Sequence, residues 1–282
     1  MSKYWLLLPL ALAALAQAQT SAPAWDRLVD RYINESLLKY SPSAATSEGF
    51  HEWDTSLEDF SLSVIAEQIR GLRSFEKEFA AFQGAPGPDR ELILSNIRST
   101  LLALESIRMW EKNPDTYSST ASNAAFGIMS RKFAPPEKRL ASLIARERRM
   151  PALFQQARAN LRNPPRVFTD VAIEQLPGII DFFEKDVPLA FHEVKDPQLL
   201  KDFGASNGAV VKELRSYLAW IKSDLLPRSK GDFRLGADNY RKKLLYDEMV
   251  DIPLDRLLQI GYDDLHRNQE AFRQTAKKID PT

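Results

Sequence analysis

Apolar residues recur at every third and fourth position through most of the chain, and prolines interrupt that rhythm at intervals. A period near 3.6 places such residues on one face of an α-helix, and strand-like alternation is absent. Trp25, Leu28, Val29, Tyr32, Ile33, Leu37 and Tyr40 form the first stripe. Ser41-Pro42 ends it, because the residue before a proline is pushed out of the helical region. The stretch "SPSAATSEGFHEWDTSLEDFS" then reads as turn-rich, with Gly49 inside it. A second helix opens at Ser61 and carries Leu62, Ile65, Ile69, Leu72, Phe75, Phe79 and Phe82. "QGAPGPD" (83–89) breaks it, and Asp89 is placed to cap a third helix running through Leu94, Ile97, Leu101, Leu104 and Ile107.

"NPDTYSSTASN" (113–123) reads as a polar connection. From Pro135-Pro136 a long helix is expected to reach Asn160, bent at Pro151, which lacks a backbone donor and clashes with the preceding turn. Asn163-Pro164-Pro165 stops it, and Thr169 or Asp170 starts another, interrupted at Pro177-Gly178. Asp196-Pro197 is a cap followed by proline at the first helical position, and a stripe from there leads to Leu225. After the irregular stretch 226–238, two helices carry Tyr240, Leu244 and Leu245, then Leu254, Leu257, Leu258, Leu265, Phe272 and Ile279. The expected fold is all-α: a multi-helix lobe of amphipathic helices, with at most a short strand or two near 166–169 and 233–235.

The first residues point to export. Lys3 precedes the apolar run "YWLLLPLALAALA", which closes on Ala16-Gln17-Ala18, the pattern of a secretory signal peptide over 1–18 cleaved after Ala18. The run is shorter than the roughly 20 residues that span a bilayer. A periplasmic or secreted protein follows, with residues 19–282 as its mature lobe and no membrane span after cleavage. Lys+Arg and Asp+Glu both number 38, so no net field draws in nucleic acid. The sequence has no cysteine, which excludes disulfides, thiol catalysis and lipid attachment through an N-terminal cysteine.

Chemistry is sparse. A zinc-peptidase helix needs His-Glu-x-x-His, so that two histidines converge on one metal and the glutamate activates its water. His192-Glu193 starts that pattern, but the second ligand position is Asp196, directly before Pro197. His51-Glu52 fails the same test at Thr55, and His266 lies in a charged helix. No metal or cofactor site is expected in this chain. Nor does it contain a G-x-S-x-G elbow, a phosphate loop or a dinucleotide turn. Glu58/Asp59 and Asp263/Asp264 read as caps and solvated faces, and the run "RERR" (146–149) as the wet side of its helix.

Three separated blocks carry a family resemblance: "WDRLVDRYINESLLKYSPSAATSEGFHEWDTSLEDFS", "RMPALFQQARANLRNPPRVFTDVAIEQ" (149–175) and "FRLGADNYRKKLLYDEMVDIPLDRLLQIG" (233–261). Together they resemble the bacterial family catalogued as domain of unknown function 885, with Pro42, Ala45, Thr46, Gly49, His51 and Asp54 in the family's order. The resemblance implies an α-helical zinc metallopeptidase, a hydrolase of the angiotensin-converting and thermostable-carboxypeptidase type, in which two helical lobes flank a peptide cleft. Its metal motif, a His-Glu-Gly-x-x-Gly-His-like segment, belongs to the C-terminal half. This sequence lacks the motif, so the resemblance carries over no catalytic and no metal-binding residue. Family chains run to roughly twice this length, which is room for a second domain-sized unit. By that resemblance the chain is an N-terminal lobe, truncated before the catalytic half and not catalytic alone. Zinc and a peptide substrate would belong to the completed protein.

Within "DFRLGADNYRKKLLYD", Tyr240 and Arg241 are the candidates for a substrate-cleft role, although Tyr240 also stands in helical register with Leu244. Two other readings stay open: a self-sufficient exported binding or scaffold protein, and a small hydrolase using His51 or His192. The lobe reading predicts a large exposed apolar face, and the scaffold reading predicts none.

Overall fold

Each apolar stripe read from the sequence is helical in the computed structural model, which describes residues 24–84 and 86–280. The expected leader, 1–18, lies outside the described residues. Helix α1 (24–32) runs on through a widened π turn, Ile33–Leu38, to residue 40. That turn changes the stripe: Leu37 is exposed, and Leu38 and Ser36 are buried in its place. α2 is Pro42–Glu48, followed by a single 3-10 turn at His51–Trp53. α3 (Leu62–Ala81) and α4 (Gly87–Leu102) pair with α1. α4 continues through a second π turn, Ala103–Ile107, to the one-turn α5 (Met109–Lys112).

The larger body is built from α6 (Asp115–Ser130), α7 (Pro136–Glu147), α8 (Met150–Asn160) and α9 (Arg166–Asp181). A π turn at Phe182–Asp186 leads from α9 into α10 (Val187–Ala190). α11 (Pro197–Trp220) crosses this body, and a fourth π turn, Ile221–Leu225, joins it to α12 (Leu226–Arg228). α13 (Ala237–Glu248) and α14 (Leu254–Ile279) complete the chain.

Two apolar cores result. The smaller joins α1, α3 and α4 through edge-to-face aromatic contacts, Trp25 on Phe79 at 5.4 Å and Tyr32 on Phe75 at 5.4 Å. The Tyr32 hydroxyl donates to Asn96 Oδ1 at 2.7 Å, so burial of the ring leaves no unpaired polar group. The larger core centres on α6, whose Tyr117, Ala121, Ala124, Ala125 and Ile128 are all fully buried.

Several expectations are corrected. Residues 42–48 form a helix rather than turns, because the Glu58 carboxylate supplies the cap from downstream: it accepts from Ser43 N at 2.9 Å and Ser43 Oγ at 2.8 Å. Asp89 lies inside the first turn of α4, which starts at Gly87 after Pro86, and is not its cap residue. The stretch 113–123 belongs mostly to α6; its alanines and serines are small enough to let neighbouring helices approach, and Gly127 sits against Ser47 of α2. The single long helix expected up to Asn160 is two helices, broken at Arg148 and Arg149. Pro151 sits in the first turn of α8, where a missing N–H costs nothing. α9 starts at Arg166, earlier than expected, and passes through Pro177 without a break.

Where short strands were allowed, 166–169 is the first turn of α9 and 233–235 has no regular structure. The β contact recorded among the described residues is an isolated parallel bridge between Pro165 and Gly231. Asp196 does cap α11, accepting from Gln198 N at 2.9 Å and Leu199 N at 3.0 Å.

Candidate functional site

The run expected on the wet side of α7 supplies the most buried charges in the molecule. Arg146 and Glu147 are each 0% exposed. Arg146 Nη1 donates to Ala124 O of α6 at 2.8 Å; Nη2 donates to Pro42 O at 3.0 Å, Thr46 Oγ1 at 2.7 Å and Trp53 O at 3.3 Å. Two turns earlier, Arg139 Nη1 donates to Ile128 O at 3.0 Å and Met129 O at 3.1 Å, closing the C-terminal carbonyls of α6. One face of α7 therefore grips α6 and α2 through guanidinium–carbonyl bonds. The one signal for this in the sequence is register, which sets Arg139, Leu143 and Arg146 at the i, i+4, i+7 spacing of a single face.

Desolvation pulls the Arg146 pKa below the ordinary arginine value, and the carboxylates of Glu58 and Asp54 pull it back. Arginine keeps its proton at neutral pH regardless, so a full positive charge is held here by backbone oxygens. Thr46 relays the interaction: its hydroxyl accepts from Arg146 and donates to Asp54 Oδ1 at 2.7 Å. Asp54 in turn faces His51 Nδ1, with Oδ2 at 3.2 Å, and the His51 ring stacks on Phe133 at 3.9 Å. Of the residues that carry the family resemblance, Pro42 and Thr46 thus bond the buried guanidinium directly, and Asp54 and then His51 follow through Thr46.

Glu147 makes a second buried pair of contacts, accepting from Ser206 Oγ at 2.5 Å and Asn207 Nδ2 at 3.1 Å on α11. Burial pushes its pKa up to about 7, against the lowering effect of those two hydrogen bonds.

These arrangements tie helices together more than they prepare chemistry. Among the described residues His51 bonds Asp54 and meets no hydroxyl that a His–Asp pair would activate. His192 is exposed in the turn after α10, its Nδ1 2.7 Å from Leu189 O, and the carboxylate four residues on is engaged in capping α11. His266 is exposed on α14 beside Tyr262. Among the described residues no three His, Asp or Glu side chains converge as metal ligands.

Tyr240 and Arg241 stand elsewhere. α13 rests on α4, with Ser95 Oγ donating to Tyr246 O at 2.9 Å and Ser99 Oγ donating to Asp247. Tyr240 is 45% exposed and lines an open groove of ≈ 420 Å³ with Leu254, Leu257, Leu258, Tyr262 and Leu265 of α14. Tyr240 thus belongs to a surface groove rather than to the core. Arg241 makes an exposed contact with Asp238 at 3.4 Å, a pair of little energetic weight that leaves the guanidinium free to exchange partners. The groove has aromatic and aliphatic walls. Sequence reasoning named these two residues for the irregular backbone ahead of them and set Arg146 and Glu147 on the wet side of their helix, because charge concealed their place on the buried face.

No helix among the described residues is long and apolar enough to cross a membrane. No curated protein matches the chain. Its fold is similar to that of a protein from Shewanella oneidensis described as a candidate lipoprotein of unknown function, with a TM-score of 0.77, 21% identity, and coverage of 90% of this chain. The chain spans only 48% of that neighbour's length. The model of a family described as bacterial protein of unknown function, DUF885, matches residues 42–282, most of the sequence, and the chain belongs to that family.

Proposed function

We propose that this chain is the N-terminal lobe of an exported, peptide-handling protein of the zinc-peptidase type, and that it contributes a substrate wall without being catalytic by itself. The observation that carries this reading is the groove between α13 and α14: open, apolar, lined by Tyr240, with Arg241 next to it in sequence, and belonging to two helices with no buried residue. Such a surface orients an extended ligand only when a second wall closes over it. Tyr240 would stack on or hydrogen-bond a peptide, and Arg241 would pair with a carboxylate. The metal and its general base would come from residues outside this chain, in keeping with histidines here that do not converge. The signal-peptide pattern and a structural neighbour described as a candidate lipoprotein support export.

The alternative, a self-sufficient helical scaffold, predicts no large uncovered apolar face and is the weaker reading on that count. The deciding experiment reads the encoding DNA beyond codon 282. A His-Glu-x-x-His-like motif in frame, or after one frameshift, is the expected result; several thousand bases without one would overturn the proposal. In parallel, zinc added to the purified chain is expected to show no stoichiometric binding in calorimetry. Tight one-to-one binding would revive a hydrolase built on His51 or His192.

A further inference from the structure

We propose that the face shared by α13 and α14 is the docking surface for a second helical unit, the counterpart of the part of the Shewanella chain that this chain leaves unmatched. The inference rests on the lobe reading above and adds its physical contact. α14 spans 26 residues, about 39 Å at 1.5 Å per residue, and none of them is buried. Leu258, Tyr262, Leu265, Phe272 and Ile279 are exposed along it, with Tyr240 of α13 beside them. The opposite side is charged and internally paired, Arg267 with Asp264 and Arg273 with Glu270. A lone amphipathic helix of this kind gains little from its own hydrogen bonds, since helices draw most of their stability from burying an apolar face. Its stripe calls for a cover.

The spacing argues against a second copy of the same helix as that cover. In a two-stranded coiled coil both core positions of each heptad are apolar. Here Leu258, Leu265, Phe272 and Ile279 occupy one such position, whereas the other holds Gly261, Asn268 and Thr275. Tyr262, Leu254 and Leu257 broaden the stripe sideways instead, towards α13. A broad, non-heptad face suits several helices of a folded unit. The length relation supplies the occupant: the likeness to the Shewanella protein covers 90% of this chain but 48% of that one, leaving about as much polypeptide again to be placed.

Hydrogen exchange with mass-spectrometric readout, on the purified chain at a concentration where sedimentation shows monomer, tests the surface. The amides of α14 are expected to exchange at least a hundredfold faster than those of α6 and α7. A hydrophobic dye should bind, and the double variant L258E/L265E should reduce its signal at least twofold without moving the melting curve. Protection of α14 in the monomer would show that this chain covers its own stripe; protection only in a concentration-dependent dimer would assign the stripe to a second copy. Either result overturns the proposal. The occupant is tested in the full-length Shewanella protein. Glutamates at the two positions that superpose on Leu258 and Leu265 should raise exchange at least tenfold in both the matching helix and the chain that follows it. No change would overturn the assignment. The two readings part at the encoding DNA: a downstream metal motif together with a protected α14 would sink the docking surface alone, and an exchanging α14 with no downstream motif would sink the peptidase reading alone.

Discussion

α7 and α14 are both amphipathic by sequence, yet they end in opposite environments. Seven of the twelve residues of α7 are buried, Arg146 and Glu147 among them, whereas α14 buries none of its twenty-six. Periodicity tells a segment to be helical and says which residues share a face. It does not say whether anything lies against that face. In α7 two arginines are inside because α6 and α2 offer carbonyl oxygens at the right spacing; in α14 leucines and a phenylalanine are outside because no neighbour reaches them. Charge and hydrophobicity are weaker guides to burial than the presence of a partner.

The sharpest way to break this contrast is to remove the charge from the inside. Arg146→Ala strands the carbonyls of Ala124, Pro42 and Trp53 and leaves the carboxylates of Glu58 and Asp54 without their buried cation, so urea denaturation should show a loss of about 3–5 kcal/mol. A loss under about 1 kcal/mol would mean that water takes over the site.

A comparison of leucines follows. Leu143→Ala on α7 should cost about 2–5 kcal/mol, whereas Leu265→Ala on α14 should stay within about 0.5 kcal/mol, because only the first empties a packed site. Equal costs would erase the distinction between the two helices.

Glu147 gives a pH signature. Its folded-state pKa lies above the ordinary value of 4.5, at about 7, so its contribution to stability is complete below pH 4.5 and is lost as pH rises through 7, by about 3 kcal/mol at most. Denaturation midpoints measured from pH 5 to 8 should therefore decline in part through this residue, and Glu147→Gln should flatten that decline. An unchanged slope in the variant would place the titration elsewhere. A smaller loss than at Arg146 or Leu143 is expected at Glu58→Ala, which uncaps α2 and should cost about 1 kcal/mol in the same assay.

The helical class, the stripe of α3 and the opening of α11 at Asp196 were readable from spacing and caps. α2 was not, because its cap comes from Glu58, fifteen residues on, and a local reading looks only at adjacent residues. α6 was missed for a different reason. Between Tyr117 and Ile128 its core-facing side is made of alanine, serine and glycine, whose smallness permits close helix packing but which leave no apolar rhythm to count. At the buried node, Thr46, His51 and Asp54 stood out through family likeness alone. Their partner Arg146 lies 100 residues from Thr46, a distance that no motif spans.

The four π turns among the described residues bear on how chains of this fold can differ in length. A π turn holds one residue more than an α turn, and on an α-helix one added residue rotates everything beyond it by about 100°. At Ile33–Leu38 the bulge absorbs that surplus, and Leu38 faces inward where Leu37 would have stood. A one-residue deletion there would leave an ordinary helix with Leu37's successor in phase, and the helices on either side would keep their contacts. Insertions and deletions can thus accumulate inside the helices of this fold, so two members can align with apparent gaps in mid-helix and still share one architecture.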